Sequence, residues 1–343
     1  MVLHLTSHKA NEQGHPDLFG GLATIHDVVS AVGPNGAINA AWNEVCKPNP
    51  GSLPRALAGR AGRQIADAAS AALIRGLEGA GEVGYSYSAW CLAGLPHRDT
   101  PPGTSWLIET DFARLLVRAG ARLRDDNSEE PLRVPSGSLA RLLLIDWQTE
   151  ALERGSREIV MGRSTSAVAA RLGVKRSGPT NNRIADQLER MATCAIDFTF
   201  GTDRKGVIVN QRLVEAFEYC GNPDPRARNR IVQRVILTQA FYEELRRHPV
   251  VIDKAAIRDL SASPLAIDVY LWLSFRLSAL TKPTPVPWEK LWRQFGTKVG
   301  RLKNFRPQFE TPLHQALSTY PGARVQIGDR GLILEPSPPP VKR

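Results

Sequence analysis

The chain has 343 residues, 42% hydrophobic and 23% charged, a composition that buries a core and excludes a fibrous or disordered polymer. Its 44 Lys and Arg outnumber 34 Asp and Glu, a net charge of +10 that calls for a polyanionic partner, above all nucleic acid. Length alone allows roughly two domains.

The opening "MVLHLTSHKANEQ" lacks a basic stretch followed by a long apolar run, so no signal peptide is expected. No segment approaches the ~20 apolar residues of a membrane span. Cys46, Cys91, Cys194 and Cys220 are scattered, with no CxxC and no zinc spacing, which suits reduced, packed thiols of a cytosolic protein. His4 and His8 stand four apart without a further ligand, so no metal is expected.

Residues 1–84, rich in Gly, Ala and Pro, read as a loosely ordered N-terminal arm. Short helical patterns lie near 22–32 and 61–78, separated by the breakers "GPNG" and "KPNPGSLP". "ARLLVRAGARL" then reads as a strand and "DDNSEEP" as a charged turn. "GSLARLLLIDWQTEALERG" is a helix with Ser138 as a plausible cap, and "STSAVAARLGV" is a second, opened by Ser164 or Thr165 and closed by Gly173. A third opens near Thr180, with Ile184, Leu188 and Met191 on one face. "CAIDFTF" and "VIVNQRLV" flank the turn "GTDRKG" as a hairpin.

The second half repeats this order. "SPLAIDVYLWLSFRL" (263–277) opens with Ser263 before Pro264, a cap followed by a first-turn proline. It is apolar almost all the way round, so it is expected as a central post with other elements on every side. "VPWEKLWRQFG" follows, closed by Gly296, then a basic helix within 303–319 and a hairpin around "GDRG". The tail "PSPPPVKR" reads as extended. The hairpin turns ending at Gly206 and Gly331 follow Gly173 and Gly296 at nearly equal separation. Helix, helix, basic helix and hairpin, twice, predict a mainly α protein with small β-hairpin wings (α+β). The divisions are two tandem winged-helix domains at 85–240 and 245–336, then a tail at 337–343.

In a winged helix the third helix enters the major groove and the hairpin lies along the backbone. In the second unit Lys290, Arg293, Lys298, Arg301, Lys303 and Arg306 approach that helix with no acid between Glu289 and Glu310. Asn304, Gln308, Thr311 and Gln315 make one polar stripe, with amides suited to adenine edges, and Arg330 tips the hairpin. The first unit offers Lys175, Arg176, Asn181, Asn182, Arg183 and Gln187, with Arg204 and Lys205 at its hairpin tip. Asp186 and Glu189 interrupt that face, which fits a DNA contact and equally a packing or dimer surface. "RARNRIVQR" (226–234) is a basic run that serves equally as a backbone contact or an exposed loop. No GxxxxGK[ST] loop and no His-x-His motif is present, so no enzyme activity, cofactor or small-molecule substrate is expected.

With these residues in view, the chain resembles the RepA-type plasmid replication initiators. The resemblance rests on "GLPHR" (94–98), "GSLARLLLIDWQTEAL" (137–152), "REIVMGRSTSAVAARLG" (157–173), "SPLAIDVYLWLSFRL" (263–277) and "VPWEKLWRQFG" (286–296). "YPGARVQI" (320–327) and "GLILEPSPPPV" (331–341) complete it, and residues 1–84 lie outside it. It implies binding to direct repeats in double-stranded origin DNA, opening of an AT-rich neighbour, and recruitment of the host initiator and replicative helicase. It also implies a possible homodimer through the first domain, using the "ARLLVRAG" strand, and repression of the protein's own gene. A plain dimeric repressor, reading inverted repeats, is the rival reading. Pro307 and Pro312 depart from the resemblance, because a helix interior tolerates proline poorly; they predict a late start or a kink in the reading helix. The resemblance assigns no role to His97 and Arg98.

Overall fold

The computed structural model describes residues 18–19, 24–124, 126–202, 205–220, 231–296 and 299–341. The described residues form helices joined to small sheets whose strand pairs are all antiparallel, an α+β fold. They divide into two compact units: one takes the residues up to Ala80 together with Phe309–Pro321, the other Gly81–Gln308 with Gly322 onward.

The segment read as a loose arm carries three helices, α1 (Ile25–Val45), α2 (Ser52–Ala58) and α3 (Gly62–Glu78). Thr24 starts α1 with a capping box: its hydroxyl accepts from Asp27 N at 3.2 Å, and Asp27 Oδ2 accepts from Thr24 N at 2.9 Å. "GPNG" interrupts this span, as its breakers suggest, so α1 is two helical segments meeting at a kink. Gly33, at φ 69°, bends it, and Pro34 starts the continuation. The core is built of Ile25, Val28, Val29, Ala37, Ala41, Leu57, Ile65, Ala66 and Ala69. So many alanines bring helix backbones close. At Gly62 the approach is absolute, since a Cβ there would lie 1.6 Å from the Leu57 carbonyl oxygen.

The larger unit opens with β1 (Val83–Tyr87), α4 (Ser88–Leu92), β2 (Trp106–Glu109), β3 (Ala113–Arg118), β4 (Ala121–Leu123) and β5 (Glu129–Pro131). Next come α5 (Gly137–Arg154), β6 (Glu158–Val160), α6 (Thr165–Arg171) and α7 (Gly178–Thr193). Ser136 rather than Ser138 precedes α5, Ser164 caps α6, and Ser177 rather than Thr180 opens α7. Strands β7 (Ala195–Thr202), β8 (Lys205–Gln211), β9 (Val214–Cys220) and β10 (Ile231–Leu237) follow. Then come α8 (Gln239–Arg247), β11 (Pro249–Asp253), α9 (Lys254–Asp259) and α10 (Pro264–Ala279). The chain continues with β12 (Thr284–Pro287), α11 (Trp288–Phe295), α12 (Leu302–Ser318), β13 (Val325–Ile327) and β14 (Gly331–Leu334). Helix α12 contributes its residues to Gln308 to this unit and the rest to the smaller one.

Helix α10 is the expected post. Ile267, Val269, Tyr270, Leu271, Trp272, Leu273 and Leu277 are all buried, and the Trp272 ring meets Phe295 edge-on at 5.7 Å. It touches α4, α5 and β11.

Two stretches share one order. In α5–β6–α6–α7–β9–β10, strand β6 pairs with β10 and β10 with β9. In α10–β12–α11–α12–β13–β14, strand β12 pairs with β14 and β14 with β13. The first stretch differs by the β7–β8 hairpin inserted between α7 and β9, and the "GTDRKG" hairpin expected to close it does not. β7 and β8 do not return to β6; they extend a separate sheet ordered β2-β3-β7-β8, and the equivalent of β13–β14 is β9–β10. The β9–β10 connection, with the basic residues of "RARNR", lies outside the described residues.

Candidate nucleic-acid interface

Helix α12 starts at Leu302, before both prolines, and runs through Pro307 and Pro312 without the late start its sequence suggested. Phe305 turns inward, which leaves Arg301, Lys303, Asn304 and Gln308 exposed. Across from this segment sits the β13–β14 turn. Trp288, at the head of α11, anchors that turn: its backbone N donates to Arg330 O at 3.1 Å and its indole N to Gly328 O at 3.1 Å. Gly331 permits the close approach, since a Cβ there would lie 2.1 Å from Val286 O. The Arg306 guanidinium lies over the Trp288 ring, 5.3 Å from its centroid, with Nη1 3.4 Å from Asp329 Oδ1. The result is a groove walled by Trp288, Leu302, Lys303, Arg306, Asp329 and Arg330. Three cations frame it, one of them over an aromatic face. Such a surface suits phosphate and base edges in the way a planar, donor-rich Arg allows.

The rest of the predicted stripe is placed differently. Gln315 is buried, and its Nε2 donates to Gln64 Oε1 at 3.2 Å, so it packs the small unit instead of reading a base. Thr311 is half-buried in that same unit. Lys298 lies outside the described residues. Lys290 and Arg293, counted as part of the basic approach, both pair with Asp111, at 3.0 and 3.3 Å. The hydrogen bond from Lys290 holds the Asp111 carboxyl below the usual carboxylate range.

In the first stretch Lys175, Arg176, Asn182 and Arg183 are exposed at the head of α7, where the Ser177 hydroxyl caps Thr180 N at 3.3 Å. Asn181 is partly withdrawn, its Nδ2 donating to Ser166 Oγ at 2.9 Å. Gln187 is buried and accepts from Ser136 N at 3.0 Å, so it is placed as a packing residue. The charge mixture that clouded this helix is resolved by Arg190, which is buried with Nη1 2.7 Å from Asp99 and Nη2 2.7 Å from Asp186. Arg190 in turn keeps the Asp99 carboxyl low. Arg204 lies outside the described residues, and Lys205 opens β8 in the sheet with β2 and β3, away from the β6-β10-β9 sheet.

One constellation was not anticipated. Asp268 is the lone acid inside the apolar post helix, and Arg141 the lone charge in the first turns of α5. The two meet: Arg141 Nε and Nη2 donate to the Asp268 carboxylate at 2.6 and 2.7 Å. The remaining donors of Arg141 go to Gly137 O and Leu95 O at 2.9 and 2.6 Å. His97 Nε2 completes the acid's partners at 2.8 Å, which gives "GLPHR" its role. A lone acid in the otherwise apolar first turns of α10 is the signal the sequence carries.

No curated protein matches the chain. The chain is similar to the "Crystal structure of SeMet derivatives of domain2 and domain 3 of RctB". There the identity is 13% and the TM-score 0.45, over 67% of this chain and 85% of that one. It is also similar to the "Crystal structure of the RctB domains 2-3, RctB-155-483", at 12% identity and TM-score 0.38, over 64% of this chain and 79% of that one. Residues 134–286, from the entry to α5 as far as β12, match the family model RepA_C, described as plasmid encoded RepA protein. Through this stretch the chain is similar to plasmid-encoded RepA proteins, in keeping with the resemblance its sequence motifs bear.

Proposed function

We propose that this protein initiates plasmid replication by binding direct repeats in double-stranded origin DNA. The observation that carries the reading is the RepA_C match over residues 134–286. The groove between α12 and the β13–β14 turn supports DNA as the ligand, because Lys303, Arg306 and Arg330 converge there on a chain of net charge +10. In this reading both repeated stretches are winged helices. The head of α12 reads the major groove and the β13–β14 turn follows the backbone. The head of α7, with Lys175, Arg176, Asn182 and Arg183, makes the second, weaker contact. Opening of an AT-rich neighbour and recruitment of the host initiator and replicative helicase complete the activity, in the bacterial cytosol, by binding and not by catalysis.

A homodimer is the form suited to repression of the protein's own gene. The sheet β2-β3-β7-β8 supports it, since one face is buried while Leu107 and Ile208, 63% and 65% exposed, lie on the other.

The test is selection from random and plasmid DNA at 150 mM salt (roughly physiological screening), followed by sequencing of what binds. Tandem direct repeats beside an AT-rich stretch are expected. A palindrome alone would favour the repressor, and recovery without any motif would defeat both readings.

A further inference from the structure

Pro307 and Pro312 make α12 a poor helix on local grounds. Neither has an N–H, so the carbonyls of Lys303 and Gln308 lose their helical donors. Residues 309–318 are nevertheless helical. Within the small unit each N-terminal helix supplies one polar tie to them. From α1, buried His26 Nε2 donates to Ser318 O at 2.9 Å, satisfying a carbonyl that the end of α12 would otherwise leave open. From α2, Ser52 Oγ and His314 Nε2 share a hydrogen bond of 3.0 Å. From α3, Gln64 Oε1 accepts from Gln315 at 3.2 Å. Three helices, three ties, and all three acceptors or donors on α12 lie beyond Pro312.

We infer that α1–α3 form a splint for the second half of α12, and that the base-reading segment therefore ends at Gln308. The segment 309–318 is committed to the fold, so Gln315 specifies structure while Asn304 and Gln308 specify DNA. His26, Ser52 and Gln64 are positioning residues, far from the reading segment in sequence. The second clause rests on the DNA-binding reading given above; the first does not.

Two measurements on the full chain decide the matter. Amide hydrogen exchange over residues 313–318 is compared between wild type and the Ser52→Ala/Gln64→Ala double variant. Base preference is compared, by site selection, among wild type, Asn304→Ala, Gln308→Ala and Gln315→Ala. The splint predicts faster exchange at 313–318 in the double variant, on the order of tenfold for two lost hydrogen bonds. It also predicts that Asn304→Ala or Gln308→Ala relaxes one position of the selected site while Gln315→Ala leaves the rank order of bases intact. Unchanged exchange in the double variant would overturn the splint. A shifted base preference in Gln315→Ala, with exchange unaltered, would overturn the reading limit at Gln308. Absence of any base preference in the wild type would defeat the DNA-binding reading, and with it the limit at Gln308, while the exchange data would still decide the splint.

Discussion

Arg141 and Asp268 stake more on each other than any exposed ion pair could. At 4% and 7% exposure, neither charge has water to fall back on. Removing one partner leaves the other buried and uncompensated, a loss of ~3–5 kcal/mol. Asp268→Ala is therefore expected to lower the urea midpoint steeply, and a double Arg141→Met/Asp268→Leu variant to recover part of that loss. Trp272→Ala, a truncation in the middle of the post helix, is expected to cost ~3–5 kcal/mol, read by the same titration. His314 makes a pH prediction. Burial pushes its ring down to about 4 from an ordinary value of 6.5. The unfolded ring then takes a proton that the folded ring refuses, so stability is full above about pH 6.5 and drains as pH falls toward 4, by about 3 kcal/mol. Burial of His26 acts in the same direction. Chemical denaturation between pH 7 and pH 4 checks this: His314→Gln should flatten the slope, and an unchanged slope would remove His314 as its source.

At the level of elements, helices with local signals and the hairpins β7–β8 and β13–β14 were legible, while the pairing of strands distant in sequence was not. Caps such as Ser164 and Ser263, the proline after Ser263 and the glycine after α6 are local signals, and the helices fall where they point. Which hairpin closes onto β6 depends on contacts far apart in sequence. β7–β8 and β9–β10 look alike as alternating runs, and only the pairing of Val235 with Ile159 and of Phe198 with Leu115 tells them apart. The same limit applied to the site. The stripe Asn304, Gln308, Thr311, Gln315 is a correct reading of helical periodicity, but periodicity cannot know that Gln64 will meet Gln315. Arg306→Ala is expected to weaken DNA binding by ~1–3 kcal/mol, since it removes the one cation that Trp288 holds in place, and a gel-shift titration measures it. Leu107→Asp/Ile208→Asp, on the open face of the β2-β3-β7-β8 sheet, is expected to shift a dimer to monomer in sedimentation without altering the fold.

For the molecule as a whole, net charge points to a polyanionic partner but not to where it would be met. Many cations are committed inside the protein: Arg141 and Arg190 are buried, and Lys290 and Arg293 are taken by Asp111. Among the described residues, the cations at the heads of α7 and α12 stay exposed, as do others such as Arg98, Arg163 and Arg324. Neutralising Lys303 or Arg330 should reduce the slope of log affinity against log salt by about one each, with base preference unchanged.

The bond from Arg141 to Asp268 also has a geometric consequence. It ties α5, the first helix of one repeated stretch, to α10, the first helix of the other. In the proposed reading, two heads joined by this brace would not turn independently to follow the twist of the duplex. Each base pair advances that twist by roughly 34°. A recognised repeat lengthened by one base pair at its centre would carry one half out of phase with its head, and the whole site would be lost although every base the protein reads is still there.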